Sequence, residues 1–314
     1  LLARGLQTKP GTGLHFPAKA KRVIYLHMSG GPSHLDTFDN KPQMQKHHGE
    51  PLPQSVIGKQ RLTTMTREQA KLLVAATQQD WGKYGESGIE MNAEFKEIST
   101  IADEMCLIKS IHSTPINHDP AVTFLQTGSP LSGRPCLGSW LSYGLGSENK
   151  DLPEFVVLLS NGGQPVPSRY WHNGFLPSRH QGVQFQSKGD PVLYLSNPEG
   201  IDDTNRKNLV GGINSLNQLK QKQIGDPEIE ARINAYELAY RMQFEATDAF
   251  DVSQEPEHML KLYGEVPQNR QLLIARRLVE RGVRFIQVSH AHSLPFNNEQ
   301  WDQHSHLEQG HTLN

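Results

Sequence analysis

The chain of 314 residues has two cysteines, few aromatic residues (7%) and a formal net charge of only −2. Cys106 and Cys136 form no CxxC pair and no zinc-ribbon spacing, so neither a redox pair nor a thiolate zinc site is encoded. Cys106 sits in the apolar run Cys106-Leu107-Ile108, and Cys136 opens a helix-like segment; both read as buried free thiols. Sparse cysteine fits exported and cytosolic proteins alike. No apolar run approaches the roughly 20 residues of a membrane span. The balanced charge gives no general affinity for nucleic acid or anionic membranes. Three sequence signatures are also missing. There is no P-loop Lys-Ser/Thr, no G-x-G-x-x-G after a strand and no G-x-S-x-G elbow. Their absence argues against P-loop nucleotide binding, a dinucleotide fold and a serine esterase of the α/β-hydrolase kind. Nothing points to a particular oligomeric state.

Histidine, by contrast, is plentiful, with 15 residues, and its placement is uneven. The chain opens on Leu1 and stops in polar, His-rich sequence, so it reads as a piece of a longer protein whose N-terminal targeting segment is missing. Residues 1–21 read as a tail, basic and rich in Gly and Pro over 4–22. Residues 22–314 read as one domain with a loop-rich insertion at about 161–208, laid over the carboxyl edge of a sheet.

Short apolar runs predict strands at 23–26, 106–111, 155–159 and 283–288, of the kind covered on both faces in a parallel sheet. Helical patterns separate them, at 92–105 and at 269–281. In the latter, Leu272, Ala275 and Val279 share a face and Gly282 is the stop. The longest helix is predicted from Asp226-Pro227, with Ile229, Ile233, Tyr236, Tyr240 and Phe244 as its apolar stripe. Residues 67–76 are weakly helical. The alternation of strand and helix predicts an α/β fold with a mostly parallel central sheet and helices on both faces.

Three polar segments follow predicted strands, where open α/β sheets bind ligands. The first is Met28-Ser29-Gly30-Gly31-Pro32-Ser33-His34-Leu35-Asp36-Thr37-Phe38-Asp39. Its glycine pair permits a sharp turn and close approach to a ligand, although Ser, Asp and Gly also suit an ordinary turn. The second is Ile111-His112-Ser113-Thr114-Pro115-Ile116-Asn117-His118-Asp119, running into apolar Val122, Phe124 and Leu125. A helix cap is the plainer reading of His118-Asp119. The third holds His290 and His292, then Trp301-Asp302-Gln303-His304-Ser305-His306. Imidazole and carboxylate on alternate residues of an extended segment suit a borderline metal such as zinc, and calcium or magnesium through the Asp residues stays open.

These segments resemble a known family. The run from Met28 to Asp39 is similar to the opening motif of the bacterial domain-of-unknown-function family numbered 1501. So are Gly174-Phe175-Leu176-Pro177-Ser178-Arg179-His180-Gln181-Gly182, Asp226-Pro227-Glu228-Ile229-Glu230-Ala231-Arg232, the stretch 275–285 and Trp301-Asp302-Gln303-His304. The matches run from Arg22 onward. The resemblance implies an alkaline phosphatase-like, sulfatase-like fold and export by a twin-arginine signal, hence an exported or periplasmic protein. Such proteins continue past Trp-Asp-x-His to a Glu-Phe-Gly-Arg and a Gly-Arg-Asp-His, which would carry further metal ligands. In the alkaline phosphatase superfamily an Asp-Ser nucleophile pair precedes a helix reaching Thr-Gly. Aligned on Thr127-Gly128, the Ser falls on His118 and the Asp on Asn117, a departure from the superfamily pattern. Its usual first-strand Asp ligand falls near Ser29.

The resemblance implies metal-assisted hydrolysis of a phosphate or sulfate ester, on a small molecule or a glycan. Asp36, Asp39, Asp302 and His304 are its candidate ligands. His118, with Asn117 beside it, is the candidate nucleophile, ligand or base. Ser29, Ser33, His34 and Arg179 are candidates for substrate binding, with Arg134 a further cation. Two competing readings are a non-catalytic binder of sulfated or phosphorylated glycans and a serine esterase. The esterase needs a Ser with a His in hydrogen-bond reach.

Overall fold

A computed structural model describes residues 17–69, 71–159, 168–185, 200–225, 229, 233, 237–238, 242, 247–264, 267–290 and 301–302. Among them six strands form: β1 (Val23–Met28), β2 (Trp81–Tyr84), β3 (Ile89–Asn92), β4 (Phe155–Leu159), β5 (Val183–Phe185) and β6 (Phe285–His290). The longer helices are α1 (His118–Thr127), α2 (Leu137–Leu145), α3 (Asp203–Ile224), α4 (Glu257–Tyr263) and α5 (Pro267–Glu280). The chain divides into two units, one of residues 1–27 and 125–292, the other of residues 28–124 and 293–314.

The first unit is mixed α/β. Its four-stranded parallel sheet has the order β1-β6-β4-β5, with flanking helices. The register pairs Val156 with Ile286 and with Val183, and Leu158 with Val288 and with Phe185. Because side chains alternate along a strand, Val156, Leu158, Phe185, Ile286 and Val288 share one face. They form one buried core with Ile274, Ala275 and Leu278 of α5. Full burial of each such Ile, Leu or Val contributes about 1.5–3 kcal/mol. On the opposite face the Phe155 ring meets Phe285 edge-on at 5.1 Å. A Cβ on Gly138 of α2 would lie 2.6 Å from the Phe155 ring, so only glycine lets α2 lie this close. The apolar run of β4 is thus explained, since both faces are covered. β1 departs from the expectation: its alternate residues Ile24, Leu26 and Met28 are exposed.

The second unit is built on a hairpin. β2 and β3 pair antiparallel, from Trp81 opposite Asn92 to Tyr84 opposite Ile89. The turn is held by Asp103, whose carboxylate accepts from the amides of Glu86 and Ser87, both at 2.9 Å. Those amide hydrogen bonds hold the Asp103 carboxyl below its ordinary pKa.

Several expected elements are corrected. Residues 106–111 form no strand; Cys106 is exposed rather than buried, as are Ile108 and Ile111. Lys109-Ser110 interrupts the apolar run, and among the described residues no strand offers it a ladder. The predicted helix over 92–105 is broken into a turn at Lys96–Ser99 and another at Ala102–Glu104, because Asn92 belongs to β3. In the weakly helical 67–76 only the turn Thr64–Arg67 forms, and Leu73 instead bridges Pro51. The segment 161–208 contributes β5 to the sheet and the start of α3. α3 was not expected, since its apolar stripe is weak and Leu209, Leu216 and Leu219 are exposed. Its ends are nonetheless well marked. Asp202 accepts from the Asn205 amide at 2.7 Å, and Gly225 closes the helix at φ +74°. Of the helix predicted from 226, Ile233 is helical and buried, while Tyr236, Tyr240 and Phe244 lie outside the described residues.

Other readings hold. β4 has the predicted bounds and Cys136 is buried at the start of α2. α5 ends before Gly282, whose φ is +93°. Its buried face is centred on Ile274, Ala275 and Leu278, with Leu272 and Val279 at the margins.

Candidate functional site

In the second unit the loop after β1 is fixed from two sides. On one side Gly30 forms a parallel bridge with Trp301. Trp301 N donates to Ser29 O at 3.1 Å, and Gly31 N donates to Trp301 O at 3.2 Å. Gly30 has φ +110°, and a Cβ there would lie 2.7 Å from the Trp301 carbonyl carbon. Both the conformation and the close backbone approach therefore require glycine. On the other side the fully buried Asn92 clamps the turn His34–Asp36. Its side-chain amide donates to Asp36 O at 2.9 Å, and its backbone N donates to Thr37 O at 2.9 Å.

Trp301 thereby sets Asp302 beside the glycine loop. α1 sets His118 there too, as its first residue. His118 Nε2 lies 3.0 Å from Asp302 Oδ2. The imidazole lies over Gly31, where a Cβ would be 3.5 Å from His118 Cε1. A carboxylate accepts and cannot donate, so the ring tautomer that suits this contact carries its proton on Nε2, with Nδ1 then the basic atom. Both side chains reach solvent, with 55% of His118 and 34% of Asp302 exposed.

The remaining predicted residues differ in surroundings. Asp36 is buried, and Ser33 Oγ donates to its Oδ2 at 2.5 Å. Asp39 pairs with Lys41 Nζ at 2.8 Å and lies 3.9 Å from Lys109 Nζ. The hydrogen bond from Lys41 is the first cause that lowers its pKa. Ser29 is buried, and its Oγ meets no hydrogen-bond partner among the described residues. His34 and Asn117 are exposed; Asn117 serves α1 through its carbonyl, which accepts from Ala121 N at 3.1 Å. His304 and His292 lie outside the described residues. Among the described residues no three His, Cys, Asp or Glu side chains gather as a metal site.

Arg179 belongs to the first unit, in a cluster the sequence did not single out. Arg179 Nε donates to His180 Nε2 at 3.2 Å, His180 Nδ1 lies 2.7 Å from Ser142 Oγ, and Ser142 Oγ donates to Glu154 Oε2. This puts a Ser within reach of a His, but not as a nucleophile. Ser142 is 4% exposed and its proton is already directed at Glu154. The only signal was the match at 174–182, which brackets Arg179 and His180 without their partners.

A family model described as a protein of unknown function (DUF1501) matches residues 20–314. The chain belongs to the DUF1501 family. No curated protein matches the chain. No solved structure matches it either.

Proposed function

We propose that this DUF1501 protein hydrolyses phosphate or sulfate esters, of a small molecule or a glycan, on an alkaline phosphatase-like scaffold. The observation that carries the reading is the pair His118–Asp302, at 3.0 Å, on a glycine loop. A neutral His118 held by Asp302 can take a proton at Nδ1 from an attacking water, with Asp302 stabilising the imidazolium that forms. At Gly31 no side chain stands between the main chain and the ring, and an anionic group is placed beside it in this reading. Ser29, Ser33 and His34 are the residues proposed to contact it.

A divalent ion, whether zinc, calcium or magnesium, is the proposed cofactor. The donor set fits in part. An imidazole nitrogen and a carboxylate oxygen at 3.0 Å are near the spacing of two ligands on one ion, which would take the place of the Nε2 proton and make His118 a ligand instead of the base. The described residues supply these two donors, and His304 is the proposed third. Asp36 and Asp39 are weaker ligands than the sequence suggested, because Ser33 and two lysines already engage them. When bound, the ion would polarise the ester oxygen and make water more acidic. The family resemblance is the support for an exported or periplasmic location.

One observation favours a second reading, a non-catalytic binder of sulfated or phosphorylated glycans: Asn117 and His118 stand where the superfamily has its Asp-Ser pair. A panel of aryl phosphates and sulfates decides between them, assayed after chelation and after return of zinc, calcium or magnesium. The hydrolase reading expects turnover that at least one ion restores. Saturable binding of sulfated glycan without turnover supports the binder.

A further inference from the structure

The relay in the first unit has one consistent direction. An arginine nitrogen only donates, so His180 Nε2 is the accepting atom and the ring proton lies on Nδ1. Nδ1–H then donates to Ser142 Oγ, and the Ser142 hydroxyl donates to Glu154. Glu154 lies 3.8 Å from His180 Nδ1, and the Tyr143 ring packs edge-on at 5.4 Å. Burial holds the His180 pKa below its ordinary value. Arg179 lowers it further, and Glu154 opposes in part. A neutral buried histidine therefore grips an exposed arginine by its Nε. The Nη1–Nη2 end of the planar guanidinium is not used in this contact.

Arg179 lines a cleft of about 880 Å³ together with Lys150, Glu154, Ser178, Val183 and Leu238. Among the described residues no carboxylate forms an ion pair with Arg179, although Glu154 ends the relay beyond His180 and Ser142. Val183 and Leu238 give the cleft an apolar wall, since both also pack on the core.

We propose that this cleft binds a small organic carboxylate, its anionic head on the Nη edge of Arg179 and its apolar body against Val183 and Leu238. The Nη pair presents two parallel donors, which match the two oxygens of a carboxylate. Glu154 and Asp151 also line the cleft. Their negative charge repels a phosphate dianion more than a carboxylate monoanion, which sets the order of preference. His180 is a positioning residue: it aims Arg179 and does not touch the ligand.

Benzoate and inorganic phosphate serve as probes, titrated into the full chain by calorimetry. Benzoate is expected to bind saturably at pH 7.5 and more tightly than phosphate. R179A is expected to weaken benzoate by about tenfold or more, the loss of a charged hydrogen-bonding partner. Arg179 is exposed, so R179A should keep its thermal midpoint, and R179K gives an intermediate affinity. H180Q keeps an acceptor near the Nε2 position and should retain binding. In the native chain benzoate affinity should fall at acid pH beyond what benzoate's own titration explains, and in H180Q that excess should vanish. H118A should bind benzoate like the native chain, so this test stands apart from the ester reading. The proposal is overturned if benzoate shows no saturable binding, or binds R179A as tightly as the native chain.

Discussion

His118 Nε2 and Asp302 Oδ2 lie 3.0 Å apart, joining the first residue of α1 to the residue that follows Trp301. Asp302 holds one nitrogen, so neutral His118 has a single favoured tautomer. Nitrogen-15 NMR of the imidazole should show Nε2 protonated and Nδ1 bare. In D302N the side-chain amide can donate as well as accept, and the two tautomers should mix. A native spectrum already mixed would remove Asp302 as the orienting group.

Gly30 and Gly31 are adjacent yet should respond differently to alanine. Gly30 has φ +110° and no space for a Cβ beside Trp301. Gly31 has its nearest neighbour at an ordinary contact distance of 3.5 Å. G30A should cost on the order of 1–3 kcal/mol in urea unfolding of the native chain. G31A should fall within about 0.5 kcal/mol. Equal losses would mean that the bridge to Trp301 does not constrain the loop.

His27 on β1 makes the first unit sensitive to acid. Burial lowers its pKa from the ordinary 6.5 to about 4. Between those values the unfolded chain takes up a proton that the folded chain refuses. Stability is therefore full above pH 6.5 and falls toward pH 4, by an amount on the order of 3 kcal/mol. Urea midpoints measured across that window should drop in the native chain and drop less in H27Q. An unchanged slope in H27Q would place the acid sensitivity elsewhere.

Core and surface leucine-type residues should separate sharply. Ile286 is fully buried between Val156 and α5, and Leu216 of α3 is 68% exposed. I286A should cost about 2–5 kcal/mol and L216A no more than about 0.5 kcal/mol. Thermal or urea unfolding of both variants checks the contrast.

Where a residue's neighbours come from its own segment, the sequence was readable. β4 and α5 announce themselves because their apolar spacing repeats the geometry of strand and helix, and Gly282 marks a stop that needs no distant partner. Residues 106–111 mislead because an apolar run has to find a ladder before it is a strand, and Lys109-Ser110 breaks the run. α3 was hidden for the opposite reason, since its caps are local but its leucines face outward. In the candidate site, the loop and Asp302 could be named from their positions after strands that form, whereas His118 was named after a strand at 106–111 that does not. That His118 meets Asp302 depends on long-range pairing that no spacing encodes, whereas Asp36 turns to Ser33 and Asp39 to Lys41 within their own loop. The relay from Arg179 to Glu154 was missed for the same reason, because its members come from three separate segments.

The account rests most on His118 and Asp302 acting as one unit in ester hydrolysis. A double-mutant cycle on kcat/KM for an aryl phosphate or sulfate tests this directly. H118A and D302N should each lower the rate by about 10²–10⁴-fold, and the double variant should be little slower than the worse single one. Variants that hydrolyse the ester at the native rate, or losses that simply multiply, would contradict it.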